Sequence, residues 1–209
     1  MQKLTFRGGI HPNDCKSATN RLPIQLLPPP EELFFPLQQH IGAPLTPLVK
    51  VGDTVRMGQK IAESEAFMSV PLHSSVSGTV TDIGLRLYPT GLKMPTIVIE
   101  NDGKDTKTEP INTKSLDKLT PKEIIQIIRD AGIVGMGGAG FPTHVKLSPP
   151  PEKKIEYLIV NGAECEPYIT SDNREFLECS ESVMRGIAAV KQHLGIKKVV
   201  IGIERNKPE

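Results

Sequence analysis

The sequence predicts an α+β chain of more than one domain, a small β sandwich followed by an α/β part built on a parallel sheet. Three observations carry this. Residues 42–101 alternate short apolar runs with Gly-Asp and Gly-Gln turn signals. Residues 155–204 read as strand, helix, strand. Between the two regions, "NDGKDTKTEPINTKSLDK" is polar and lacks an apolar period.

Residues 1–41 come first. "LPIQLLPPP" and "FFPLQQH" are rich in proline, which removes a backbone donor and breaks regular elements. An extended N-terminal arm is expected there. His11, in "RGGIHP", and His40 are read as hydrogen-bonded structural histidines, with ligation as the alternative.

Residues 42–101 are expected to form the sandwich. Val49, Val51, Val55 and Ile61 are spaced by turns at Gly52-Asp53 and Gly58-Gln59. "MSVPLHSSVSGTVTDIG" and "PTIVIEND" form a second, similar stretch. Two related halves of short strands suggest internal pseudo-symmetry. Residues 102–119 are read as a linker.

Residues 120–209 are expected to form the α/β domain. In "TPKEIIQIIRDAG", Thr120 can cap, Pro121 can open the helix and Glu123 can complete a capping box. Ile124, Ile125, Ile127 and Ile128 supply a buried face, and Gly132 ends the helix. "IEYLIV" (155–160) and "KKVVIGIE" (197–204) suit buried strands. The segment 172–195 between them is read as helical, in two pieces, with Gly195 as stop. Such a βαβ unit implies a parallel pair with a right-handed crossover. Two parallel strands cannot bury both faces of a sheet. The domain is therefore expected to be incomplete within these 209 residues.

Composition narrows the function. A net charge of +1 and a pI near 7.7 give no sign of a nucleic-acid or anionic-membrane partner. No apolar run approaches the roughly 18 residues that span a bilayer. "MQKLTFRGGIHP" has no apolar signal core, so the chain is expected to be soluble and cytoplasmic. Cys15, Cys165 and Cys179 are odd in number and far apart. They match neither a disulfide framework nor a metal site, and without a CxxC no iron–sulfur cluster is expected in this stretch.

"VKVGDTVRMGQKIAESEAFMSVPLHSSVSGTV" resembles the biotinyl and lipoyl carrier domains. The matching residues are Gly52-Asp53, Gly58-Gln59, Glu65-Ala66 and Gly78. The resemblance implies a barrel-sandwich hybrid. Carrier chemistry needs a lysine at the hairpin tip to form an amide with the cofactor, and the tip here reads Glu65-Ala66-Phe67-Met68-Ser69. A thioether cannot form that bond. The module is therefore read as a packing or docking element.

Two loops carry the remaining signal. "GMGGAGFPTHVK" (135–146) is a glycine-rich stretch expected to open a helix. Gly135, Gly137, Gly138 and Gly140 would allow close backbone approach to a phosphate, with helix polarity in support. Lys146, a turn further on, could reach an anion. By pattern alone such loops also serve as tight turns. This one is neither a P-loop nor a Rossmann fingerprint. "NGAECEP" (161–167) begins where a predicted strand ends, the edge at which open parallel sheets bind ligands. Glu164 and Glu166 are expected on one side of an extended segment, beside Asn161. A solvated acidic loop is the alternative.

Together the loops resemble the flavin- and NADH-binding subunit of respiratory complex I. "FRGGIHP", "PLQQHIGAP", "VGDTVRMGQKIAE", "HSSVSGTV", "GIVGMGGAGFPTHVK" and "NGAECEPYITSDNRE" resemble the RnfC subunit of the Rnf electron-transport complexes still more closely. The resemblance implies a barrel-sandwich hybrid plus an FMN- and NADH-binding α/β domain. It implies a peripheral subunit on the cytoplasmic face of the cell membrane, in a complex coupling ferredoxin:NAD electron transfer to ion translocation. Other subunits of that complex, NADH and, indirectly, ferredoxin would be its partners. Carried over by position, Gly135, Gly137, Gly138, Gly140 and Lys146 would hold FMN, with Asn161 and Glu164 by the flavin. Phe141 and Glu166 would contact NADH. No catalytic base is implied. 4Fe-4S clusters would belong to residues beyond 209. Ala163 and Met136 stand where the complex I family has an acidic residue and an arginine. A non-catalytic docking or assembly module of such a complex is the alternative.

Overall fold

A computed structural model describes residue 10 and residues 12–109 and 114–207; His11 and most of "FRGGIHP" lie outside them. The chain divides into two compact units, one spanning 27–154 and the other combining 1–26 with 155–209. The divisions expected at 41/42 and 119/120 differ from these limits.

The 27–154 unit holds strands β1 (Glu32–Pro36), β2 (Thr46–Pro47), β3 (Thr54–Val55), β4 (Lys60–Glu63), β5 (Leu72–His73), β6 (Gly78–Leu87) and β7 (Lys93–Asn101), then helices α1 (Pro121–Asp130) and α2 (Thr143–Lys146). A four-stranded antiparallel sheet runs β1-β7-β6-β3 and a three-stranded one β2-β4-β5. Both sheets feed one core, in which Val55, Ile61, Ala62, Val80, Ile97 and Ile99 are fully buried. Burying each of the larger aliphatic side chains stabilises by about 1.5–3 kcal/mol.

Part of the expected arm belongs to this sandwich. Glu32–Pro36 pairs with Thr96–Glu100 of β7, and Phe35 enters the core. The proline-rich flanks concealed a five-residue strand (ELFFP) that has proline only at its end, where a lost donor costs no ladder bond. The expected linker is also partly engaged. Met57 and Lys107 form an isolated bridge, and Leu116–Lys118 form a 3₁₀ turn.

Helix α1 opens as its sequence predicts. The Thr120 side chain accepts from the Glu123 amide, and the Glu123 carboxylate accepts from the Thr120 amide at 2.8 Å. The Lys114 ammonium and these Thr120 donors hold the Glu123 carboxyl down at about 2. Gly132, at φ 72°, ends the helix; a Cβ there would stand 2.8 Å from the Pro71 carbonyl oxygen.

The second unit contains β8 (Tyr157–Gly162), α3 (Ser171–Glu178), α4 (Ser180–His193) and β9 (Lys198–Ile203). β8 and β9 pair in parallel, Tyr157 opposite Lys198 through Gly162 opposite Ile203, as the strand–helix–strand pattern predicts. Ile159, Val200 and Ile203 are 70%, 49% and 52% exposed, so this two-stranded sheet leaves apolar side chains uncovered. Ile196 is the one apolar core residue of this unit among the described residues.

Candidate functional site

The candidate residues fall in two groups, one in each unit. The glycine loop belongs to the 27–154 unit. Its ends are pinned together: the Gly135 amide donates to the Phe141 carbonyl at 2.9 Å, the Thr143 amide donates to that of Ile133 at 3.1 Å, and Val134 bridges Pro142. Residues 136–139 form the turn. Met136, at its tip, is 90% exposed.

Its glycines are not equivalent. Gly140 has φ 65°, and a Cβ would lie 3.0 Å from both the Gln39 carbonyl oxygen and His40 Cα. Folding alone requires glycine there. Gly137 and Gly138 lie outside the left-handed region, and a Cβ on either would meet nothing within 4 Å; on Gly135 it would meet only the Phe141 carbonyl oxygen, at 3.8 Å. No intramolecular contact calls for glycine at 137 or 138. The bare backbone there is a surface that a flat or phosphorylated ligand could approach, and in this respect the loop fits FMN.

The helix after the loop is shorter than the sequence pattern suggests. α2 is one turn, because "SPPP" (148–151) ends the segment. A single turn has little macrodipole, so anion attraction rests on backbone amides and Lys146. That lysine is exposed and forms no ion pair among the described residues. Phe141 is half-buried.

In the other unit, Asn161 is exposed near the end of β8, its Oδ1 accepting from the Ala163 amide at 3.1 Å. Glu164 and Glu166 do not share an environment: Glu164 is 2% exposed and Glu166 is open to solvent. The Glu164 carboxylate accepts from the amides of Asp172 and Asn173 at 2.7 and 3.3 Å and from Lys207 Nζ at 3.0 Å. Lys16 Nζ donates to its backbone carbonyl. Burial works against the charged carboxylate, but Lys207 and the two amides outweigh it and hold the carboxyl below its usual range. Glu164 thus caps α3, whose own N-cap, Thr170, makes no side-chain cap bond.

Lys16 and Lys207 escaped sequence reasoning because they lie 148 and 43 residues from Glu164. One available signal was "TSDNRE", a helix start in need of an acceptor. At the carboxyl ends of β8 and β9, Gly162, Asn173, Phe176, Leu177, Ile203 and Lys207 line a cavity of about 150 Å³. That is below the ~300–1,000 Å³ of small-molecule pockets, and Asn161 and Glu166 do not line it.

The described residues contain no cluster of three His, Cys, Asp or Glu able to hold a metal, and no helix among them is long and apolar enough to cross a membrane.

Two family models match the chain. The RnfC barrel sandwich hybrid domain covers residues 4–104 and the Nuo51 FMN-binding domain covers 128–209. The C subunit of the proton-translocating ferredoxin:NAD(+) oxidoreductase complex of Clostridium ljungdahlii is 51% identical over 98% of this chain and 45% of its own length. The Na(+)-translocating counterpart of Acetobacterium woodii is 44% identical over 98% of this chain and 46% of its own. The corresponding protein of the ion-translocating oxidoreductase complex of Rhodobacter capsulatus is 42% identical over the whole chain and 41% of its own. The chain thus spans less than half the length of these relatives. With both domain types present in this order and identity running across the whole sequence, the chain belongs to the RnfC family.

Proposed function

We propose that this chain forms the FMN- and NADH-binding part of a peripheral subunit in a membrane-associated, ion-translocating ferredoxin:NAD oxidoreductase. The observation that carries the reading is the open backbone at Gly137 and Gly138, where glycine answers no need of the fold. It lies within the segment matched by the FMN-binding model.

In this reading Gly135, Gly137 and Gly138 let main-chain amides approach the flavin, and Lys146 supplies a positive charge to its phosphate. Gly140 keeps the loop's return path against His40. Asn161 is assigned to the flavin as a hydrogen-bonding amide. Glu164 acts at one remove, fixing the acidic loop on α3 through Asp172, Asn173 and Lys207. Glu166, exposed, is assigned to NADH, and Phe141 to the adenine. Bound FMN would supply the hydride-accepting centre, so the chain itself needs no acid–base residue and contributes binding and orientation. Electrons would pass to 4Fe-4S clusters carried outside these residues. Other subunits of the complex would be the direct partners, on the cytoplasmic face of the membrane.

The test is flavin content. Full-length protein, purified and denatured, should release about one FMN per chain. Release of none would leave the docking-module reading, which the barrel-sandwich hybrid with Met68 at its tip supports by itself.

A further inference from the structure

The hairpin tip at which a carrier domain would display its lysine is tied down in this chain. Ser64 accepts from Arg129 Nη2 at 2.9 Å through its carbonyl. The Phe67 carbonyl lies 2.8 Å from His144 Nε2, and the two rings meet edge to face at 5.7 Å. The Met68 carbonyl accepts from the Ala43 amide at 3.1 Å, and a Cβ on Gly42 would stand 2.0 Å from that same oxygen. The Val70 amide donates to His40 Nε2 at 3.3 Å. A mobile carrier arm would be free of such bonds.

Two of these partners, His40 and His144, lead to the glycine loop. Gly140 is packed on His40, and the Ile41 amide donates to the Ala139 carbonyl at 3.0 Å. His144 sits in the single turn that follows the loop. The ring chemistry gives a direction to both histidines. A carbonyl only accepts, so His144 carries its proton on Nε2 and donates to the tip. His40 Nε2 accepts from Val70, so its proton sits on Nδ1, 3.1 Å from the Ile41 carbonyl. Both side chains are buried, at 1% and 7% exposure.

We propose that the carrier-like tip, residues 64–70, is a buttress that sets the shape of the glycine loop, with His144 as its positioning residue. The proposal rests on the loop being the FMN site. It explains what a carrier-type hairpin does without a lysine: a rigid module braces the loop whose backbone meets the ligand. His144 touches the tip and acts on the ligand only through loop geometry.

The experiment measures hydrogen exchange and FMN affinity in the full-length protein, for wild type, His144→Phe and His144→Gln. Phenylalanine keeps the ring and loses the donor; glutamine keeps an N–H donor. In His144→Phe the amides of Gly135 and Ile41 should exchange about tenfold faster and the FMN dissociation constant should rise about tenfold, the equivalent of one lost hydrogen bond. His144→Gln should stay within about threefold of wild type on the same scale. The amides of Ile97 and Ile99 should be unchanged. If His144→Phe loses protection at Ile97 and Ile99, it has unfolded and His144→Asn, too short to reach Phe67, is read in its place. Unchanged exchange at Gly135 and Ile41 in a folded variant overturns the buttress, whatever FMN does. Accelerated exchange in a protein that binds no FMN keeps the buttress and overturns only the flavin reading.

Discussion

Gly137 and Gly140 sit three residues apart and need different explanations. Gly140→Ala places a Cβ in left-handed backbone and against the chain at Gln39 and His40; it should cost about 1–2 kcal/mol and lower the melting temperature of the 27–154 unit. Gly137→Ala meets nothing and should leave stability within about 0.5 kcal/mol while weakening FMN retention. Paired thermal melts and flavin assays check both, and equal destabilisation by the two would show that the loop is simply a tight turn. Glu166 is assigned in the proposed function to the other ligand, NADH. Glu166→Gln should keep FMN and raise the NADH dissociation constant about ten- to hundredfold, the worth of one hydrogen bond to a charged group. Flavin bleaching during NADH titration reads this, and bleaching at the wild-type concentration would remove Glu166 from the site. The glycines and the exposed acid were legible in the sequence because short motifs encode backbone access and charge. The division of labour among the glycines was not, because the wall Gly140 meets comes from Gln39 and His40, a hundred residues away in the chain.

The elements show the same divide between local and distant causes. α1 was readable to its cap because Thr120, Pro121 and Glu123 act within one turn. β1 was hidden because its pairing partner, β7, lies some sixty residues away. α3 was readable as a helix, yet its cap comes from Glu164, on the preceding loop. That cap makes a pH prediction. The Glu164 carboxyl is held below its unfolded value, so its contribution is fully present above the ordinary glutamate range near pH 4.3. It is lost as pH falls through the lower folded value, because the protonated acid no longer pairs with Lys207. Acid titration should therefore loosen α3 below about pH 4, visible as faster exchange at the Asp172 and Asn173 amides. Lys207→Met should bring that loosening to neutral pH, since an unpaired buried carboxylate costs about 3–5 kcal/mol. If exchange at the two amides ignores both changes, the Glu164 cap is wrong.

Across the whole molecule, stabilisation is uneven. The buried aliphatic core lies in the 27–154 unit, whereas β8 and β9 expose Ile159, Val200 and Ile203. Calorimetry of the 209-residue chain should show two transitions, with the unit containing β8 and β9 melting first; one two-state transition would contradict that separation. The two domain types were legible because turn signals in the sandwich and apolar runs in the βαβ unit repeat along the chain. Their limits were not, since α1 and the glycine loop pack with the sandwich on contacts from Gln39, His40, Ile41, Ser64, Phe67 and Pro71. The central claim is that bare backbone at Gly137 and Gly138 receives FMN, and its most direct test is flavin retention by Gly138→Val. A valine there meets no protein atom at its Cβ, so the full-length variant should fold with wild-type melting behaviour, yet lose its FMN through the desalting steps that leave wild type with about one per chain. A folded Gly138→Val protein with full flavin content would contradict the account.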